Sequence, residues 1–118
     1  MSIGKAFENR IIHDMRRHGW WTYLTPNTKT GQPFDIIAIS DCTGIALEIK
    51  HLDGYRFDLS RVESNQRIAL QDFIDKGNDA FFVFGNEIEA YVANAEDILD
   101  CKEKSVDIRT FMAWSSWI

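Results

Sequence analysis

Two carboxylates and a lysine in one short segment have the residue types of a divalent-metal site, in which the carboxylates would be the ligands. Asp35, Glu48 and Lys50 all lie between Pro33 and His51. Two carboxylates held close together repel each other unless a cation lies between them. Hard oxygen ligands with open coordination positions suit Mg²⁺ or Mn²⁺. The alternative is a solvated sheet face on which the three charges form only a weak ion pair.

A β-hairpin is the element that must bring these charges together. Two apolar runs rich in β-branched residues, 34–40 and 45–49, flank a turn-like tetrapeptide. Their length and spacing predict two antiparallel strands joined by a four-residue loop. A register that pairs Ser40 with Ile45 places the aspartate opposite the lysine. The aspartate is then diagonal to the glutamate, roughly 7–8 Å away at the backbone and on the same face.

The helix predicted before the hairpin carries a third carboxylate. Residues 4–19 place an apolar arc on one face, and Gly19 ends the helix. The arc consists of Ile3, Phe7, Ile11, Ile12, Met15 and His18. Glu8 falls within this arc, although a glutamate is almost never fully buried without a partner. It either pairs at the edge of the arc with a neighbour such as Lys5, or points into a site beneath the helix.

The helix predicted after the hairpin carries an amide on its apolar face. Ser60 and Glu63 have the spacing of a capping box, and the helix extends to about Lys76, where Gly77 stops it. Gln66 lies among the apolar residues Val62, Ala69, Leu70, Phe73 and Ile74. A buried amide needs hydrogen-bond partners. Gln66 is therefore either a core amide bonded to backbone or a group that orients a water or a substrate atom.

The remaining segments predict the rest of a sheet. Composition indicates an edge strand at 20–24 and a second strand pair at 79–84 and 88–92, of which 79–84 is apolar enough to be central. Asn94 begins a short helix, and the polar residues 101–110 are expected to be irregular.

Length and composition are typical of one soluble domain of 118 residues. We expect a core at 4–92, followed by a helix and an aromatic tail at 94–118 that packs on its own core or forms a subunit interface. No apolar run approaches the ~20 residues of a membrane span, and the N-terminus has no apolar signal segment. We therefore expect a cytoplasmic protein without a membrane partner. Cys42 and Cys101 lack metal-ligand spacing and are expected to be reduced thiols.

The acidic residues are unevenly distributed along the chain. Residues 1–67 carry nine Lys and Arg against eight Asp and Glu, a net charge of +1. Residues 68–118 carry four against ten, a net charge of −6, which gives the overall −5. Phosphate contacts dominate DNA affinity, so the overall charge disfavours nucleic acid. If acids of the first half bind metal, however, the surface left there is basic, and a DNA-binding face fits that half.

Taken in order, these elements resemble the PD-(D/E)xK nuclease superfamily, and more narrowly the small Holliday-junction resolvases of the RecU and phage or archaeal type. The segments that carry the resemblance are 4–8, 33–38, 46–50 and 65–66. The resemblance implies an α/β fold with a restriction-endonuclease-like core, in which helices flank a central mixed β-sheet in the order α-β-β-β-α-β. Phe34 separates Pro33 from Asp35, so the Pro-Asp pair in the name of the superfamily is not contiguous in this sequence.

The resemblance also implies roles for individual residues. The catalytic set would be Glu8, Asp35, Glu48, Lys50 and Gln66. The metal ligands would be Asp35, Glu48, the Ile49 carbonyl and Glu8, which would hold Mg²⁺ or, as a substitute, Mn²⁺. The implied reaction is strand cleavage that leaves 5′-phosphate and 3′-hydroxyl ends. A homodimer with two such sites would cut two strands of opposed polarity.

The implied partner is branched DNA, in particular a four-way junction. The basic candidates for phosphate contact are Lys5, Lys29, Arg56, Arg61 and Arg67. Two other functions remain open at this point. One is a nuclease of the same fold that acts in restriction, repair or DNA packaging. The other is a non-catalytic interaction module, which the acidic surface and the aromatic tail favour.

Overall fold

The computed structural model describes residues 3–26 and 31–118. The helices are α1 (Ile3–Arg17), α2 (Ser64–Asp75), α3 (Ala95–Leu99) and α4 (Trp114–Trp117). The strands are β1 (Trp21–Leu24), β2 (Ile36–Ser40), β3 (Thr43–His51), β4 (Arg56–Asp58), β5 (Asp79–Gly85), β6 (Ala90–Asn94), β7 (Ser105–Asp107) and β8 (Met112–Ala113). Single 3₁₀ turns lie at Leu59–Arg61 and Ile108–Thr110.

Six of these strands form one mixed sheet in the order β1-β2-β3-β5-β6-β8. Strands β3 and β5 are parallel, and the other neighbours in the sheet are antiparallel. As predicted, β1 lies at an edge, and the apolar β5 lies in the middle. Because β3 and β5 are parallel, their carboxyl ends, His51 and Gly85, lie at the same edge of the sheet.

Each face of the sheet is covered by helices that bury a separate apolar cluster. Helix α1 packs Phe7, Ile11 and Met15 against one face, which includes Ile45 and Leu47 of β3. Helices α2 and α3 cover the other face, together with aromatic residues of β4 and β5. Alternation along β3 therefore sends Ile45, Leu47 and Ile49 towards α1, and sends Ala46 and the positions that carry Glu48 and Lys50 towards α2.

The predicted hairpin is present, but its register differs from the expected one. Ser40 pairs with Thr43 rather than with Ile45, because the turn has only two central residues. These are Asp41 and Cys42, both with positive φ angles, 45° and 68°, as a type I′ turn requires. The shift by two positions keeps the predicted faces of the regular strands and changes only which residues lie opposite each other.

The two long helices differ from prediction at their ends. Ile3 is 60% exposed and His18 is also exposed, so neither belongs to the buried arc of α1. Helix α2 begins at Ser64, with Glu63 as its N-cap and Gln66 completing a reciprocal capping box. The predicted box at Ser60 is wrong, because Asp58 caps a 3₁₀ turn there first. Gly77, at φ 91°, follows the helix as expected.

The C-terminal third is more ordered than its composition predicts. The segment 101–110, expected to be irregular, contains β7, which pairs with β4 in a second, two-stranded sheet. The second strand of the β5–β6 pair begins at Ala90, and Ile88 is exposed in the turn before it. The tail packs on its own core: Trp114 is 2% exposed, and its indole Nε1 donates to Asp14 of α1 at 2.9 Å. In the ranges that the structure describes, no helix has the length and apolarity to span a membrane.

Candidate active site

Asp35 lies immediately before β2, where the regular pairing of the hairpin is interrupted. Its amide donates to the Leu47 carbonyl at 3.1 Å, and the next residue, Ile36, is also paired with Leu47. Two residues opposite one is the arrangement of a β-bulge, which bends a strand and redirects a side chain. The Asp35 carboxylate accepts a hydrogen bond from the Ile49 amide, 2.7 Å from Oδ2. It is thereby fixed beside the end of β3, rather than opposite Lys50 as the predicted register placed it.

Glu48 is a buried carboxylate in which one oxygen lacks a hydrogen-bond partner among the described residues. The residue is 1% exposed; its Oε2 lies 3.1 Å from Lys50 Nζ, and its Oε1 has no hydrogen-bond partner among the described residues. Burial raises the pKa of Glu48 to about 8; the negative charge of Asp35 adds to the rise, and Lys50 opposes it. The two carboxyl groups are therefore close enough to compete for a proton or a cation.

Lys50 is held in place by three oxygen acceptors. Its Nζ lies 3.1 Å from Glu48 Oε2, from Gln66 Oε1 and from the Arg61 carbonyl oxygen. Gln66 Oε1 also accepts from the Glu63 amide at 3.2 Å, so one amide oxygen caps α2 and fixes the lysine. An ammonium has three N–H donors, and this geometry uses all of them. The structure thus brings Asp35, Glu48, Lys50 and Gln66 together, while their catalytic roles stay predictions.

The donor set at this point fits a hard divalent cation. The unpartnered Glu48 Oε1 and the Asp35 carboxylate supply oxygen ligands of the kind that Mg²⁺ and Mn²⁺ prefer. Within a strand, the N–H and C=O of one residue project to the same side. Because the Ile49 amide bonds to Asp35, the Ile49 carbonyl faces the same side, past the start of β2. A cation there would oppose both the burial and the Asp35 charge that raise the pKa of Glu48.

Glu8 is not part of this cluster in the structure. Its Oε1 lies 3.2 Å from Lys5 Nζ, one turn away on α1, which is the paired arrangement considered from the sequence. Helix α1 covers the opposite face of the sheet, although Phe7 contacts the His51 ring at the end of β3. Among residues 3–26 and 31–118, no group of three or more His, Cys, Asp or Glu side chains is placed to hold a metal. A ligand role for Glu8 stays a prediction.

The basic candidates for phosphate contact are spread over several elements. Arg61 lies beside the site, because its carbonyl accepts from Lys50 and its guanidinium donates to the His51 carbonyl at 3.1 Å. Arg56 bonds to Ser105 of the small sheet, and Arg67 bonds to the Leu99 carbonyl. Lys5 pairs with Glu8, and Lys29 lies outside the described residues. Arg61 is thus the candidate whose described contacts join it to the site.

Two residues that support the site were not predicted from the sequence. Thr25, which is buried, donates its hydroxyl to the Phe34 carbonyl and its amide to the Asp35 carbonyl, so it anchors the segment before β2. Glu63 is the N-cap partner of Gln66. The sequence spacing of Glu63 and Gln66 fits a capping box, but Ser60 offered a more usual N-cap residue upstream. Nothing in the sequence distinguishes Thr25 from its threonine neighbours.

The comparison with solved structures decides the fold. The chain is similar to Hjc of Archaeoglobus fulgidus, a Holliday junction resolvase from an archaeal hyperthermophile, with a TM-score of 0.73 and 16% sequence identity. The match covers 97% of this chain and 98% of that one. This chain has a restriction-endonuclease-like fold. The α/β fold class that the family resemblance implied is therefore confirmed.

The sequence comparisons add no further relationship. No family model matches this chain, and no curated protein matches it significantly. At 16% identity the likeness to Hjc concerns the fold, while the chemistry has to be argued from the residues at the end of β3.

Proposed function

We propose that this protein is a metal-dependent DNA endonuclease that resolves four-way junctions by paired phosphodiester hydrolysis. One observation carries the proposal. On the fold shared with an archaeal Holliday junction resolvase, two carboxyl groups and a lysine converge at the end of β3, and one buried carboxylate oxygen lacks a partner. A purely structural ion pair would not leave such an oxygen unsatisfied, because an unpaired buried polar atom is costly.

Asp35, Glu48 and the Ile49 carbonyl would hold Mg²⁺ or Mn²⁺. When bound, the cation supplies positive charge for a phosphate and lowers the pKa of a bound water. The Ile49 amide holds Asp35 in place, and Lys50 holds the second oxygen of Glu48. These contacts fix both carboxylates before any ligand binds, so little rearrangement is needed to form the site.

Lys50 would stabilise the negative charge that develops on the phosphate during hydrolysis. All three of its N–H donors are used in the structure, so it offers the phosphate its charge rather than a free donor. If a water replaced Gln66 as a partner of Lys50, the ammonium would orient that water as the nucleophile. In the structure Gln66 holds the Lys50 ammonium in position. Arg61 lies beside Lys50 and would contact the phosphate.

Paired cleavage of a junction requires two such sites related by symmetry. Strands of opposed polarity at a four-way junction are related by a two-fold axis, which matches the symmetry of a homodimer. We therefore propose a homodimer in which each protomer contributes one complete site and cuts one strand. The acidic C-terminal half would then face away from the DNA, because repulsion between that half and the phosphates disfavours contact.

The experiment that tests the function is cleavage of a synthetic four-way DNA junction beside linear duplex and flap controls, in Mg²⁺, in Mn²⁺ and in EDTA. Asp35→Asn is the test variant. Asp41→Asn is the matched control, because it makes the same chemical change at the exposed turn of the same hairpin. We expect paired, symmetric cuts in the junction that are lost in EDTA and in Asp35→Asn but kept in Asp41→Asn.

Other outcomes would change the proposal in defined ways. Equal cutting of all three DNAs would retain the site and replace junction resolution by a more general nuclease activity. Cutting that survives Asp35→Asn would remove the proposed site. A folded protein that cuts none of the DNAs in either metal would leave the interaction module as the better reading.

A further inference from the structure

The edge of the sheet next to the site carries exposed aromatic side chains. Trp21 and Tyr23 of β1 are 58% and 48% exposed, and Ile39, which pairs with Trp21, is 43% exposed. The two rings are nearly parallel, with an interplanar angle of 6° and centroids 6.3 Å apart. We call these three residues the aromatic edge. Soluble proteins seldom expose neighbouring large apolar side chains without a binding role.

The aromatic edge lies on the sheet face that carries the proposed site. Tyr23 pairs with Ile37, and Ile37 pairs with Ala46, so these three side chains form a row across β1, β2 and β3 on the face covered by α2. Glu48 is two residues further along β3. Strand spacing and rise place the Tyr23 backbone about 12 Å from that of Glu48. A strand of nucleic acid with its phosphate at the site therefore reaches the rings.

The charge around this edge favours a polyanion. Residues 15–26 contain no Asp or Glu and carry Arg16 and Arg17, in a chain whose net charge is −5. Arg16 is held at the β1 edge by its hydrogen bond to Thr22 at 2.8 Å, on the other face of the strand from the two rings. A second copy of the chain docked here by two-fold symmetry would bring these cations together. A DNA strand would instead bring phosphates to the cations and bases to the rings.

We propose that the aromatic edge stacks unpaired bases of the DNA strand that leads to the site, so that the protein prefers DNA whose bases are unstacked next to the cut. This proposal rests on the proposed DNA-cleaving function and names the feature of the substrate that is recognised. Tryptophan and tyrosine faces stack on any base, so the contact recognises an open branch rather than a sequence.

The test is binding in EDTA, so that no strand is cut, measured by fluorescence anisotropy. The probes are a labelled duplex with an unpaired thymine tract and a fully paired duplex of the same length. We expect Trp21→Ala and Tyr23→Ala each to weaken binding of the first probe roughly tenfold and to change binding of the second less than about twofold. Trp21→Phe should retain most of the affinity. Ile88→Ala, at a position that is 86% exposed in the β5–β6 turn, is the control and should leave both affinities unchanged.

Sedimentation velocity without DNA tests whether the aromatic edge binds a second copy of the chain instead of DNA. If Trp21→Ala dissociates an oligomer, the aromatic edge is a protein interface and the proposal is overturned. Equal weakening of both probes would also overturn it, because that result indicates a general phosphate contact. If the variants bind both probes as the wild type does, base stacking is refuted while the nuclease proposal stands. Failure of the wild type to bind either DNA would refute both.

Discussion

Replacing Glu48 by glutamine should stabilise the metal-free protein at alkaline pH. Burial, then the Asp35 carboxyl, raises the pKa of Glu48 from 4.5 to about 8 in the folded state, so the folded state binds this proton more tightly than the unfolded state does. The stability that the proton provides is fully present below pH 4.5 and is lost as the pH rises through 8. A glutamine keeps the shape of the side chain, and its carbonyl oxygen still accepts from Lys50. Its NH₂ group replaces the unpartnered Glu48 Oε1 and can donate to the Asp35 carboxylate.

The size of the effect follows from the linkage relation. Between pH 6 and pH 8 the folded state holds about one proton more than the unfolded state, which costs roughly 1.4 kcal/mol of unfolding free energy per pH unit. The wild type should therefore lose about 2–3 kcal/mol over this interval through Glu48, and Glu48→Gln should not. The assay is urea unfolding in EDTA at several pH values, analysed as the difference between the two proteins. That difference cancels the titration of histidines and surface acids.

Parallel pH profiles of the two proteins would refute the reasoning, because they would show that Glu48 has an ordinary pKa in the folded state. A wild type that becomes more stable than the variant as the pH rises would refute it more strongly, since the sign of the linkage would then be reversed. Mg²⁺ provides an independent check. It should stabilise the wild type increasingly as the pH rises towards 8, and stabilise Glu48→Gln little at any pH.

Three further predictions follow from the site and the hairpin. Lys50→Met should lower the single-turnover rate of junction cleavage by about 100-fold or more, because it removes the buried positive charge; a loss below about tenfold would contradict that role. Gln66→Ala should cost about 1–2 kcal/mol in urea unfolding and lower the cleavage rate, since it removes the capping box and one acceptor of Lys50; unchanged stability would show that the box contributes nothing. Cys42→Gly should raise the unfolding free energy by roughly 0.5–1 kcal/mol, because φ is 68° there, and destabilisation would contradict the turn geometry.

Part of the site could be predicted from local pattern alone. The alternation of apolar and charged residues along β3 determines that Glu48 and Lys50 share a face, and a register error of two positions does not change that result. The apolar periodicity and the position of Gly77 likewise place Gln66 on the inner face of α2, although the predicted N-cap at Ser60 is wrong. These are short-range properties, decided by backbone geometry within a few residues.

The position of Asp35 could not be predicted in the same way. The strict alternation assumed for residues 34–40 fails, because Phe34 packs against Phe73 of α2 while Ile36 packs in the cluster with α1. The bulge opposite Leu47 makes both contacts possible and turns the carboxylate towards Ile49. Phe34 and Ile36 are two positions apart but pack in different hydrophobic clusters, on opposite faces of the sheet. This is a tertiary effect that no local sequence pattern shows.

In the C-terminal third, too, some features were predictable from the sequence and others depended on tertiary contacts. Composition required the aromatic tail to pack somewhere but left its own core and a subunit interface open, and the contact of Trp114 with Asp14, one hundred positions away, decides for the core. Strand β7 was missed because a polar three-residue segment has no strand signal until β4 lies beside it.

The sequence by itself therefore determined the hairpin, helices α1 and α2, and the shared face of Glu48 and Lys50, since these depend on residue type and periodicity. Only the tertiary structure decided the contacts of Asp35, the unpartnered Glu48 oxygen and the alignment of the aromatic edge with the site. Each of these depends on which distant segments pack together, and that is set by the summed burial of both faces of the sheet rather than by any local preference.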